Sequence, residues 1–223
     1  GFSIALGKRG KERSRSDTLQ LFYNNESSPF KIKLKMQSKC SKVSIGEVVT
    51  PILKWNPRQS QDDKTFTYID ISSVNRERKK IEETIEVSTN KAPSRARQLV
   101  KTNDVLVSTV RPNLNAVAYI NDSFDGATAS TGFTVLRPQS NKIDGRYLYY
   151  WVQTPYFIQS MIMQSTGANY PAVTESVIKN STLPLPPLEE QKRIADILDR
   201  ADAIRQKRKR AIDLFRYVWR SFY

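Results

Sequence analysis

Short apolar runs rich in β-branched and aromatic residues fill the middle of the chain. The runs VSIGEVV, FTYIDIS, DVLVSTV, AVAYI and GFTVLRP are separated by turn signals such as NDSFDG. This pattern predicts strands. The runs are irregularly spaced and have no regular helices between them, so the pattern disfavours a doubly wound parallel sheet. A small β-rich domain, mostly antiparallel or irregular, is therefore expected.

A helical pattern follows these strands. In DGRYLYYWVQTPYFIQSMIMQ, aromatic and aliphatic residues recur at helical spacing behind a predicted N-cap at Asp144. We interpret this segment as one helix that packs against the core, and its aromatic residues as packing groups and not as a platform for stacked bases.

A proline-rich elbow then leads into a long charged helix. Pro184, Pro186 and Pro187 hold the backbone extended, and the first helical turn carries Glu189 and Glu190 at the positive end of the helix dipole. Apolar residues in this helix recur every 3.5 residues, which is typical of a coiled coil. One helix cannot bury such a seam alone, so a second helix is expected from another copy or from a second half of a longer chain. The predicted seam residues are Ile194, Ile197, Ala201, Ile204, Ala211, Phe215, Val218 and Phe222.

These patterns predict an α+β fold in three parts. Residues 1–42 form a poorly defined basic arm, residues 43–186 form the β-rich domain with its packing helices, and residues 187–223 form the coiled-coil helix. No run approaches the ~18 to 20 apolar residues that a membrane span needs. Neither a membrane association nor a signal segment is expected.

The charge balance points to a polyanionic partner. The net charge is +14, and the three parts carry +7, +3 and +4. Such an excess on the flanks fits nucleic acid, although basic flanks can equally be solvated tails. The single cysteine, Cys40, fits a reducing cytoplasm.

Several groups on which catalysis commonly relies are missing from the sequence, although carboxylate or lysine chemistry stays possible. The chain has no histidine, so an imidazole base, a Ser-His-Asp triad and a standard zinc site are excluded. Glycine-rich nucleotide-binding loops are also absent. We therefore expect no metal, no cofactor and no enzymatic activity of the chain itself.

Four loops carry side chains suited to DNA, at residues 73–80, 93–98, 108–116 and 166–175. Arginine suits bidentate contact with guanine in the major groove and asparagine suits adenine, whereas lysine and hydroxyl groups more often contact phosphates. The candidate DNA-binding residues are Asn75, Arg76, Arg78, Lys79, Arg95, Arg97, Thr109, Arg111, Asn113, Asn115, Asn169 and Tyr170.

The segment TGANYPAVTESVIKNSTLPLPPLEEQKRIADILDRADAIRQKR resembles the end of a target recognition domain and the start of its helix in specificity subunits of type I restriction–modification systems. PSRARQLVKTNDVLVSTVRPNLNAVAYI and ASTGFTVLRP resemble the central strands of the same family, so the resemblance runs from Val43 to the C-terminus. It implies a non-catalytic subunit that reads half of a split double-stranded DNA target. Its implied partners are methyltransferase subunits and motor-nuclease subunits.

Family members carry two recognition domains and two long helices, whereas this sequence carries one of each. A half-subunit that forms a homodimer would read a palindromic split target. Two other readings stay open. The chain could be the recognition part of a fused restriction–methylation enzyme, or a coiled-coil adaptor that binds nucleic acid without sequence preference.

Overall fold

The structure, a computed structural model, describes residues 40–221 and their side chains as far as Trp219. The predicted basic arm lies almost wholly outside the described residues, and so does Phe222 of the predicted seam. No helix in the described range has the length and apolar content needed to cross a membrane.

Short strands and five helices make up the described part of the chain. The strands are β1 (Ser41–Ser44), β2 (Val49–Thr50), β3 (Thr65–Ile69), β4 (Val74–Asn75), β5 (Lys80–Ile81), β6 (Ile85–Ser88), β7 (Ala96–Leu99), β8 (Val105–Ser108), β9 (Val117–Tyr119), β10 (Thr128–Ser130), β11 (Phe133–Pro138) and β12 (Thr182–Leu185). The helices are α1 (Ile45–Val48), α2 (Gly145–Trp151), α3 (Pro155–Met163), α4 (Glu175–Asn180) and α5 (Leu188–Ser221).

The strands pair into small sheets. The two four-stranded sheets have the strand orders β6-β3-β10-β7 and β2-β11-β8-β9, and the two-stranded sheets are β1-β12 and β4-β5. The pairing of β10 with β3 is parallel, and the other strand pairs are antiparallel. The predicted α+β fold with mostly antiparallel strands and a long C-terminal helix is confirmed.

The first predicted strand, VSIGEVV, was wrong over its middle, where the chain forms the helical turn α1. Glu47 accepts hydrogen bonds from the backbone nitrogen of Ser44 at 2.9 Å and from its hydroxyl at 2.6 Å. This Ser-x-x-Glu arrangement is a capping box, which favours a helix start over a continued strand.

The single helix predicted after the strands is two helices, α2 and α3. The predicted cap is confirmed, because Asp144 accepts from the backbone nitrogens of Arg146 and Tyr147. The break follows from a second cap, in which the hydroxyl of Thr154 accepts from the backbone nitrogen of Phe157. Proline at the next position, residue 155, suits the first turn of a new helix and cannot continue the old one.

The sheet β2-β11-β8-β9 lies between two buried apolar clusters. Along β8, Val105 and Val107 belong to one cluster and Leu106 to the other, as the alternation of side chains along a strand requires. The first cluster also includes Leu148 of α2 and Ile194 of α5. The C-terminal helix therefore begins inside the core of the domain.

A buried glutamine fixes the start of α5. Gln191 is fully buried, and its Oε1 accepts a hydrogen bond from the backbone nitrogen of Asp144 at 2.9 Å. Its Nε2 donates to the carbonyls of Lys142 at 3.1 Å and Pro186 at 2.8 Å. One side chain thus joins the loop before α2, the proline segment and the helix.

Ion pairs between α2 and α5 extend this anchor by a further turn. Arg146 donates through Nη1 to Asp196 and to Asp199, both at 2.8 Å, and the hydroxyl of Tyr150 donates to Asp199 at 2.6 Å. The predicted proline elbow is partly a strand, since Pro184 lies in β12 opposite residue 42. Prolines and these side chains together set the direction of the helix.

Candidate nucleic-acid interface

The loop after β8 holds two predicted base-reading residues in an uncommon backbone conformation. Arg111 has φ 50° and ψ 63°, and Asn115 has φ 44° and ψ 56°, so both are left-handed. Residues other than glycine adopt this conformation at a cost of about 1–2 kcal/mol, so neighbouring contacts must hold it. Between them, Pro112–Leu114 forms a short 3-10 turn on which Asn113 is exposed.

Residues of the second loop, 166–175, supply those contacts. The backbone nitrogen of Arg111 donates to the carbonyl of Pro171 at 2.7 Å, and the backbone nitrogen of Val173 donates to the carbonyl of Thr109 at 2.9 Å. The guanidinium carbon of Arg111 lies 4.8 Å from the ring centroid of Tyr170, which is within cation–π range. The two loops therefore form one surface, on which Arg111 is exposed.

Backbone hydrogen bonds close the base of the second loop, 166–175, and leave the residues at its tip exposed. Thr166 and Ala172 exchange backbone hydrogen bonds, each 2.9 Å long. Gly167 between them has φ 96°, and a Cβ at this position would lie 2.9 Å from the carbonyl oxygen of Tyr170. Glycine is required here, and the turn leaves Asn169 exposed and Tyr170 68% exposed.

A cavity of about 400 Å³ adjoins this surface and is lined by Arg97 of β7 and by Thr109. Arg95 is exposed two residues before Arg97 on the same segment. The cavity is also lined by Lys54, whose Nζ lies 3.8 Å from a carboxylate oxygen of Glu175. Lys54 has no sequence signal that marks it as a site residue, because a single lysine in the run ILKWNP forms no distinguishing pattern.

The remaining predicted loop, 73–80, contains the β4–β5 hairpin. The side chain of Asn75 accepts from the backbone nitrogens of Glu77 and Arg78 at 3.0 Å and donates to Glu82 at 2.7 Å. Arg78 forms an ion pair with Glu82 at 3.0 Å. The polar groups of Asn75 and Arg78 thus serve the hairpin itself, and their predicted role in DNA binding stays a prediction. Arg76 is exposed.

The side chain of Lys79 points inward, and its role as a DNA contact stays a prediction. Its Nζ donates to the carbonyl of Asn115 at 2.5 Å, and its own carbonyl accepts from the hydroxyl of Tyr149 at 3.0 Å. Burial, assisted by the positive charge of Arg205, lowers the pKa of Lys79 to about 8. Lys79 therefore ties the hairpin to the end of the loop that carries Arg111.

Comparison with known proteins identifies the fold that carries these loops. The model of the family described as "Type I restriction modification DNA specificity domain" matches residues 37–214. The chain belongs to this family. The match covers the candidate interface and most of α5.

Relatives of this specificity domain are specificity subunits. The type I restriction enzyme HindI specificity subunit of Haemophilus influenzae is 29% identical over 114 residues, which are 49% of this chain and 24% of that subunit. The putative MjaX specificity subunit of Methanocaldococcus jannaschii is 39% identical over 71 residues, which are 30% of this chain and 16% of that subunit. These relatives belong to the recognition class of subunit, not to the catalytic class.

A solved relative agrees with the fold. The HsdS subunit from Thermoanaerobacter tengcongensis superposes with a TM-score of 0.69 at 32% identity, covering 80% of this chain and 47% of that chain. This specificity domain thus spans about half of that structure and a smaller share of the curated relatives. Among residues 40–221, no group of three or more His, Cys, Asp or Glu side chains is arranged to hold a metal ion.

The predicted seam of the specificity domain starts further along the helix than expected. Ile194 is fully buried in the domain's own core, so the expectation that it contacts a partner helix was wrong. The first turns of α5 pack on α2, which is why Ile197 and Ala201 are also only half-exposed. The seam residues that are exposed are Ile204, Ala211, Phe215 and Val218.

The far end of α5 carries more exposed apolar surface than the seam alone. Phe215 stacks on Trp219, with ring centroids 6.2 Å apart. Four further exposed apolar residues lie outside the 3.5-residue repeat and were therefore not predicted as seam residues. They are Ile212, Leu214, Tyr217 and Trp219.

Proposed function

We propose that the chain reads one half of a split DNA target in the major groove, as the specificity subunit of a type I restriction–modification system. One observation carries the proposal, namely the exposed guanidinium of Arg111 held over the Tyr170 ring where two loops meet. Stacking on the ring orients the planar fork, which then suits the two acceptors of guanine. A ready orientation lowers the entropy lost on binding.

The neighbouring polar residues fit two kinds of contact. Asn113 and Asn169 are exposed beside Arg111 and Tyr170, and their amides suit adenine. The rim of the adjoining cavity supplies the cations Lys54 and Arg97, which suit phosphates. Arg95 and Thr109 complete this set, while Asn115 serves to shape the loop.

We propose further that α5 pairs with the α5 of a second copy. Its 34 residues extend about 51 Å at 1.5 Å per residue, long enough to hold two recognition domains apart. The resulting two-fold symmetry calls for a palindromic target with a fixed gap. A second half in a longer chain is the other arrangement that would cover the same seam.

The reaction chemistry belongs, on this proposal, to methyltransferase and motor-nuclease subunits that the chain brings to the target. The chain itself contributes recognition, and it acts where cellular DNA is held, in the cytoplasm.

The test is selection of bound duplexes from a random pool, with the full chain alone and with its methyltransferase subunit. The expected result is a bipartite sequence whose halves are inverted repeats. Lys101→Ala is the matched control for variants in the loops 108–116 and 166–175, because Lys101 is an exposed cation outside these loops. Recovery of duplexes without a common sequence, in both conditions, would overturn the proposal.

A further inference from the structure

Two basic segments that are far apart in the sequence meet on the surface. Lys80 donates to the side chain of Gln206 at 3.2 Å, across 126 positions of sequence. Glu77 forms an ion pair with Lys209, across 132 positions. The hairpin is thereby docked on the middle of α5. We name the joined residues 75–82 and 202–210 the basic ledge.

The basic ledge has a large excess of positive charge. It contains nine lysine and arginine residues and three carboxylates, an excess of six. Each carboxylate already pairs with a cation within the ledge. The charge of Arg205 also contributes to the lowered pKa of Lys79, although burial is the larger cause. The positive charge of the basic ledge therefore exceeds the negative charge of its own carboxylates.

Two arginines present this excess to solvent. In the sequence, Arg76 directly precedes Glu77 and Arg210 directly follows Lys209, the two residues of the ion pair that joins hairpin and helix. Both side chains are exposed. An arginine at such a position suits the bidentate geometry of a phosphate.

The basic ledge is continuous with the loop that carries Arg111. Lys79 donates to the carbonyl of Asn115, and the single 3-10 turn between Arg111 and Asn115 covers about 8 Å at ~2 Å per residue. Duplex DNA carries one phosphate charge per ~1.7 Å of axis. A duplex read by Arg111 therefore has phosphates within reach of the ledge.

We propose that the basic ledge binds backbone phosphates of duplex DNA beside the bases that the Arg111 loop reads. The placement rests on the proposed function, whereas the attraction to phosphate rests on the ledge alone. It assigns Arg76 and Arg210 to positioning the duplex rather than to reading its sequence.

The test compares the full wild-type chain with the double variant Arg76→Gln/Arg210→Gln. Affinity is measured for the selected duplex and for an unrelated duplex, each between 50 and 200 mM salt. Loss of two phosphate contacts makes the slope of log affinity against log salt less steep by about 1.8. Because the electrostatic contribution vanishes near ~1 M salt, this slope change lowers affinity at 100 mM salt by roughly 60-fold. Both duplexes are expected to lose the same factor.

The control is Lys91→Gln/Lys101→Gln, which removes two exposed cations outside the ledge and leaves the slope within about 0.5 of wild type. An unchanged slope in the ledge variant would overturn the proposal, and so would an equal change in the control. If the ledge variant binds the selected duplex specifically and its slope is unchanged, the proposal for the ledge is wrong and the proposed function is still supported. If the slope changes in the ledge variant but the wild type binds both duplexes equally, phosphate binding by the ledge is supported and the proposed function is wrong.

Discussion

Replacing Gln191 by methionine tests the claim that one buried amide fixes the start of α5. The side chain is fully buried and makes three hydrogen bonds, to the backbone nitrogen of Asp144 and to the carbonyls of Lys142 and Pro186. Methionine keeps the length and shape of the side chain but leaves three backbone groups without a partner.

The expected loss in free energy of unfolding follows from the three backbone groups left without a partner. Each buried, unsatisfied donor or acceptor costs about 1–3 kcal/mol. Burying an apolar side chain in place of an amide returns about 1–2 kcal/mol of that loss. Three such groups less this return lower the free energy of unfolding of Gln191→Met by about 1–8 kcal/mol, a large part of the ~5–15 kcal/mol that holds a typical domain.

Urea unfolding followed by circular dichroism measures this change as a shift of the midpoint at constant slope. Gln164→Met is the matched control, because Gln164 is exposed at the end of α3 and its amide donates to Ser160 one turn earlier. The control is expected to stay within about 0.5 kcal/mol of wild type. A loss below about 1 kcal/mol for Gln191→Met would refute the reasoning, since orphaned buried groups cannot cost so little.

Three further predictions follow from named contacts. Asp104→Ala leaves the partly buried Arg137 unpaired and should cost about 3–5 kcal/mol by thermal unfolding; an unchanged melting temperature would contradict this. Ile204→Glu/Phe215→Glu should convert a dimer to a monomer in light scattering, while Ile212→Glu should not. Burial lowers the pKa of Lys79 to about 8, so the folded state binds fewer protons than the unfolded state between pH 8 and 10.5. Stability relative to Lys79→Met should therefore rise from pH 8 to 10, and a flat difference would count against the buried charge.

Local patterns predicted the elements whose signals are local. The β-branched runs around Val105 and Val135 became strands, and the carboxylate of Asp144 capped α2 as expected. The same patterns failed where two local signals compete. Ser44 and Glu47 form a capping box inside a strand-like run, and Thr154 begins a new helix inside a helical repeat.

The arrangement of the candidate site depends on contacts that the sequence does not encode locally. Arg111 precedes a proline, which favours extended backbone, so its left-handed conformation has no sequence signal. Lys79 and Ile194 read as a surface cation and a seam residue, yet each packs on a distant part of the chain. The residue types predicted that the loops of Arg111 and Tyr170 bind DNA, but no sequence pattern indicated that the two loops contact each other.

The most direct test of base reading is to repeat the duplex selection with Arg111→Ala and to compare the selected sequence with that of wild type. We predict that sequence preference disappears at one base pair in each half of the target, with a loss of about 1–3 kcal/mol in binding free energy for that pair. An identical selected sequence bound with the same affinity would contradict the claim that this loop surface reads DNA.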